Sequence, residues 1–164
     1  MSEPLATYLE DHAAGAAAAV ELLEAMRDHH RGEELGRFAD EILSEVKQDQ
    51  GTLKDLLERV KPGGSKSLKE AVSWLAEKMS RLKLGRLASG ELGTLEALET
   101  LSLGILGKRA LWSALAQVAE SDPRLTETDF SALVQRAEAQ HARVEEKRLG
   151  TAIGALRTSA AARS

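Results

Sequence analysis

Four long segments of this chain carry apolar stripes, and each stripe is interrupted once by an ionisable residue. Leu5, Leu9, His12, Ala16, Ala19, Leu23 and Met26 recur at helical spacings, as do Leu35, Ile42, Val46, Asp49, Leu53, Leu56 and Val60. A third set runs Leu98, Leu101, Ile105, Lys108, Trp112, Leu115 and Ala119, and a fourth Phe130, Val134, Ala137, His141 and Val144. Steps of three, four and seven residues put each set on one side of a helix. A charge on an apolar face is costly unless it meets a partner. The four interruptions are therefore expected to meet one another in a polar layer inside a helical bundle.

Composition supports helices. Aromatic residues are only 3% of the 164 and prolines only three, which argues against a sandwich or barrel. Hydrophobic residues at 43% and charged residues at 29% have the balance of a globular domain with a real core. No apolar run approaches the ~20 residues that span a bilayer, so no membrane segment is expected. The opening Met-Ser-Glu-Pro-Leu lacks a basic stretch followed by an apolar one, which argues against secretion. The chain has no cysteine, which excludes thiolate metal sites and is compatible with a cytoplasmic protein. A net charge of −4 gives no reason to expect nucleic acid as a partner.

Boundaries follow from caps and breakers. The first helix is expected from an N-cap at Ser2, with Pro4 in its first turn, to about His30, where Gly32 closes it. The second follows at once, from about Glu33 to Lys61, and Pro62-Gly63-Gly64 ends it. So short a link makes the two antiparallel neighbours. A crossover over 62–93 then contains Ser67-x-x-Glu70, a capping-box pattern opening an extra helix over about 67–84. The third long helix is expected from about Thr94 to Ser121. Asp122-Pro123 breaks the chain, and Thr126-x-x-Asp129 starts the fourth, expected to reach about Leu149. Residues 1–149 thus form one bundle domain, with 150–164 a frayed tail.

The crossover lets the interruptions meet. If it climbs the length of the bundle, a rise of 1.5 Å per residue places His12, Asp49, Lys108, Glu138 and His141 at roughly 14–22 Å from one end. Glu96 and Glu99 fall near 31–36 Å, away from the layer. A simple up-down-up-down order would scatter the set.

A bundle with that crossover resembles the ferritin-like superfamily. Its di-metal members place a Glu on each of two helices and Glu-x-x-His on each of the other two. Glu138-x-x-His141 matches one such motif, and the segments Tyr8 to Gly15 and Gly104 to Trp112 are similar to those of small bacterial ferritin-like proteins. The second helix departs from the motif, offering Glu45-x-x-Gln48 and Asp49 with no histidine. The first offers Asp11-His12 for a lone Glu, and the third places Lys108 at the metal level. An ammonium there repels a divalent cation.

Two readings of the layer follow. In the first, Asp49 and Glu138, with Asp11, neutralise Lys108 while His12 and His141 hydrogen-bond beside them, a degenerate metal site that fixes helix register. In the second, His12, Asp49, Glu138 and His141 hold iron, manganese or zinc, in an oxidase or a metal-storage protein. A further alternative is that some of these side chains snorkel to solvent. No Gly-rich phosphate loop, nucleophile context or zinc-protease motif is present, so an enzyme would rest on fold analogy alone. The expectation is a non-catalytic binding or assembly module, with a homo-oligomer open to it. Lys61, Lys66, Lys69, Lys78, Arg81, Lys83 and Arg86 outnumber Glu70 and Glu77 in the crossover, a face that could dock an anionic partner but reads first as solvated surface. His29-His30 reads as a complement to the helix dipole, Trp112 as core, and Trp74 as packed on the bundle or at a dimer contact.

Overall fold

Four helices order the chain: α1 Pro4–His29, α2 Glu34–Val60, α3 Glu91–Val118 and α4 Phe130–Leu156. A computed structural model describes residues 3–63 and 90–157 together with 69, 70, 73 and 77, and contains no strand among them. None of the described helices is long and apolar enough to cross a membrane.

Local chemistry sets the ends. Pro4 occupies the first helical position, where its fixed φ and missing N–H cost nothing, so the cap is Glu3 and not Ser2. Gly32 turns the chain at φ 85°, and Gly63 does the same at φ 80° after α2. Gly90, at φ 77°, caps α3, which starts three residues before the expected Thr94. Asp129 is itself the cap of α4, its Oδ1 accepting from the Ala132 N–H at 2.9 Å. Thr126 instead donates to the Pro123 carbonyl. α4 also continues to Leu156, seven residues past the expected end, so 150–156 are not a frayed tail. Gly154 lies beside α3 there, where a Cβ would come within 2.6 Å of the flexible Glu91 carboxylate.

Cross-contacts give the direction of each helix. Arg124, between α3 and α4, donates to Glu3 Oε1 at 2.6 Å and to the Val60 carbonyl at 3.4 Å. The start of α1, the end of α2 and the α3–α4 turn therefore share one end. At the other, the Thr94 hydroxyl lies 3.3 Å from His30 Nε2. α1 and α4 thus run one way, α2 and α3 the other, and the chain between 63 and 90 joins opposite ends of the bundle. The extra helix expected over 67–84, Trp74 and most of the basic crossover lie outside the described residues. Within that segment, Lys69, Glu70, Ser73 and Glu77 are helical and exposed.

α1 packs on α2, α3 on α4, and α1 more lightly on α3. Ion pairs line the antiparallel α2–α4 seam: Glu34 with Lys147, Glu41 and Glu45 with Arg143, and Asp49 with Arg136. The stripes of α2 and α3 face inward as read, apart from a half-buried Leu35, Lys108 and Ala119. Those of α1 and α4 are rotated. α1 buries Ala6, Leu9, Ala13 and Ala17 at its lower end, leaving His12 half-exposed. α4 buries Ala137, Gln140 and Val144, leaving His141 on the flank.

The α1–α2 turn is closed at Gly36, where a Cβ would fall 2.1 Å from the His30 carbonyl oxygen. Gly36→Ala is expected to destabilise the fold by about 2–4 kcal/mol in urea denaturation. Gly51→Ala, on the same helix with open space around it, should instead be neutral or gain about 0.5–1 kcal/mol. Equal effects at the two sites would contradict this packing.

Candidate functional site

The polar layer forms around the Asp49 carboxylate. Asp49 is 3% exposed and Gln140, from α4, is fully buried. Lys108 Nζ donates to Asp49 Oδ2 at 2.5 Å and also to Gln140 Oε1. The Gln140 amide donates back to Asp49 Oδ2 at 3.3 Å. Arg136 donates through Nη2 to Asp49 Oδ1 and through Nη1 to Gln48 at 3.3 Å. One carboxylate thus joins α2, α3 and α4, and faces two cations. Burial lowers the Lys108 pKa from its ordinary value, against the pull of Asp49, so desolvation outweighs the attraction.

The other expected members of the layer lie elsewhere. Glu138 does not neutralise Lys108. It is exposed and takes a 2.7 Å hydrogen bond from Arg109 Nε, because the rotation of α4 turns Gln140 inward in its place. Asp11 is exposed on α1. His12 is half-buried with its ring edge-on to Tyr8 at 4.7 Å, and burial lowers its pKa although Asp11 acts to raise it. His141 joins a second cluster, its Nε2 3.1 Å from Ser102 Oγ. Ser102 donates to Glu145 Oε1 at 2.6 Å, and Arg148 holds both Glu145 oxygens at 2.8 and 2.9 Å.

The second cluster differs in its proton arrangement from an activated nucleophile. The Ser102 hydroxyl proton points to Glu145, so His141 acts as donor to the serine and does not take up its proton, the reverse of nucleophile activation. Among the described residues no three His, Asp or Glu side chains come together to hold a metal ion. His30 caps α1, its ring bridging Glu33 at 3.1 Å and Thr94 on α3.

The layer borders a cavity of about 290 Å³ between α1, α2 and α3. Ala16, Ala19, Leu53, Ile105 and Leu111 supply apolar wall, and Asp11, His12, Asp49, Lys108 and Trp112 also line it. Gly15, Gly104 and Gly107 border it too, and a Cβ on any of them would meet nothing within 4 Å. All three sit inside helices, where glycine costs about 1 kcal/mol relative to alanine. Here no close backbone approach among the described residues requires them. Trp112 is 1% exposed, yet its indole Nε1 has no hydrogen-bond partner among the described residues. The sequence marked Asp49 and Lys108, whereas Gln140 and Arg136 went unread. The signal for Gln140 was the spacing Leu133, Ala137, Gln140, Val144, which describes the buried face better than the stripe through His141.

Comparison of the chain with protein-family models, with curated proteins and with solved structures finds no match.

Asp49→Asn leaves Lys108 and Arg136 without their carboxylate and is expected to cost about 3–5 kcal/mol by chemical denaturation. Lys108→Met leaves Asp49 paired with Arg136 and should cost less, about 1–2 kcal/mol. The reverse order would contradict a network centred on Asp49. Arg148, and then the Ser102 hydroxyl, lower the Glu145 pKa to about 2. Its stabilisation is complete above the ordinary carboxylate range and is lost as pH falls from about 4.3 toward that value. Glu145→Gln should therefore be less stable than the parent chain by about 1 kcal/mol at pH 7, with the gap narrowing below about pH 4.5. A gap constant from pH 7 to pH 3 would exclude this linkage.

Proposed function

We propose that this protein is a non-catalytic, ferritin-like helical bundle in which a Lys–carboxylate layer takes the place of a metal centre, and that it works as a binding module, holding a small guest in the cavity beside that layer. The observation that carries the reading is the cavity itself: mostly apolar, bordered by helix-interior glycines and edged by a few convergent polar groups, the usual make-up of a ligand site. Asp49 speaks against an oxidase or storage role for iron, manganese or zinc. Both its oxygens are engaged by Lys108, Gln140 and Arg136, and a cation arriving there would have to displace two others. A cytoplasmic setting fits the cysteine-free composition.

The test pairs elemental analysis with ligand-observed NMR against a set of small apolar fragments. Protein grown with added iron, manganese and zinc should carry well below one ion per chain. Fragments should bind, and Gly107→Leu, which places a side chain in open space at the cavity, should abolish their binding. Stoichiometric metal lost on Asp49→Ala, or fragment binding indifferent to Gly107→Leu, would overturn the proposal.

A further inference from the structure

We infer that the cavity selects an anionic amphiphile: a small molecule with an apolar body and a single carboxylate head, the head seated at Lys108. The inference rests on the binding-module reading above and adds the chemistry of the guest.

Two observations converge on that head group. The Asp49 network holds two cations, a mostly buried Lys108 and a one-third exposed Arg136, against one carboxylate, so it carries an excess positive charge. A lysine ammonium has three N–H donors. Asp49 and Gln140 accept two of the three on Lys108, and the third has no acceptor among the described residues, although Lys108 lines the cavity. Trp112, one turn away on the same helix, borders the cavity with its ring, its indole N–H being occluded from it. A carboxylate is the compact group that answers a free ammonium donor and excess charge together.

Asp11 is the one carboxylate that faces an incoming anion unpaired among the described residues. It sits exposed on α1, where water and salt screen it. Asp49, the other carboxylate on the wall, is neutralised by its own cations. His12, its pKa lowered mainly by burial, contributes a neutral ring beside the site at neutral pH. The apolar body of the guest fits the remaining wall. At about 290 Å³ the space is roughly twice the ~150 Å³ void that takes up benzene, which suits a short aliphatic chain or one to two rings.

The deciding experiment is isothermal titration of the full chain with octanoate and, in parallel, with 1-octanol. The carboxylate is expected to bind roughly tenfold tighter or more, the gain of a charge-assisted hydrogen bond in a shielded site. Lys108→Met should remove that preference while keeping the alcohol's affinity. Gly107→Leu should abolish both, and its fold, checked by circular dichroism, should persist because leucine is the better helix former. Equal affinity for octanoate and octanol in the parent chain would overturn the anionic guest and leave the cavity reading standing. Failure of both to bind, or binding unchanged by Gly107→Leu, would overturn the two together. If Lys108→Met does not fold, the octanoate–octanol comparison in the parent chain still decides the question.

Discussion

The Asp49 carboxylate is the point on which this bundle turns. Among the described residues α2, α3 and α4 all reach it, through its own backbone, the Lys108 ammonium, and the Arg136 and Gln140 side chains. Burying those charges costs several kcal/mol per ion before pairing, and the lowered pKa of Lys108 indicates that pairing does not fully offset it. What such a network contributes is register. A slide of α4 by one turn would leave Asp49 facing Arg136 or Gln140 at the wrong height, with two buried groups unsatisfied.

That constraint propagates outward along the α2–α4 seam. Arg143 and Lys147 continue the line of Arg136 on α4, opposite Glu45, Glu41 and Glu34 on α2. The pairs nearer the end are more exposed, and each contributes little stability by itself. Together they favour one antiparallel alignment, because a shift takes the pairs out of register and draws Arg136 away from the buried Asp49. On the opposite side of the layer the packing is looser. Glycine and alanine line α1 where it faces α3, and the space they leave becomes the cavity. The same charged layer is thus tied down toward α4 and open toward α1.

The sequence carried much of the architecture. Gly32, Gly63 and Asp122-Pro123 marked the breaks, and one long connection allowed opposite ends to be joined, an arrangement that the heights of the polar residues favoured. On α2 and α3 the centre of the inward face was legible, because aliphatic side chains there leave few alternatives. α1 and α4 were ambiguous. Alanine tolerates burial and exposure alike, so the run Ala13 to Ala19 admits several faces, and the true one passes through Ala13 and not His12. On α4 an amide, Gln140, took the inward position that the pattern gave to His141, since an amide can both donate and accept inside the network.

What the sequence by itself determined, then, was the class of fold, the antiparallel pairing of α1 with α2, and the meeting of Asp49 with Lys108. These follow from periodicity, from short links and from the cost of an unpaired buried charge, all of which act along the chain or between a few strongly constrained residues. The tertiary structure alone decided that Glu138 and Asp11 stay out of the layer, where the histidines go, and that a cavity remains beside them. Those outcomes depend on the rotation of each helix about its own axis. That rotation is set by the sum of many weak contacts across the bundle, and no single residue announces it.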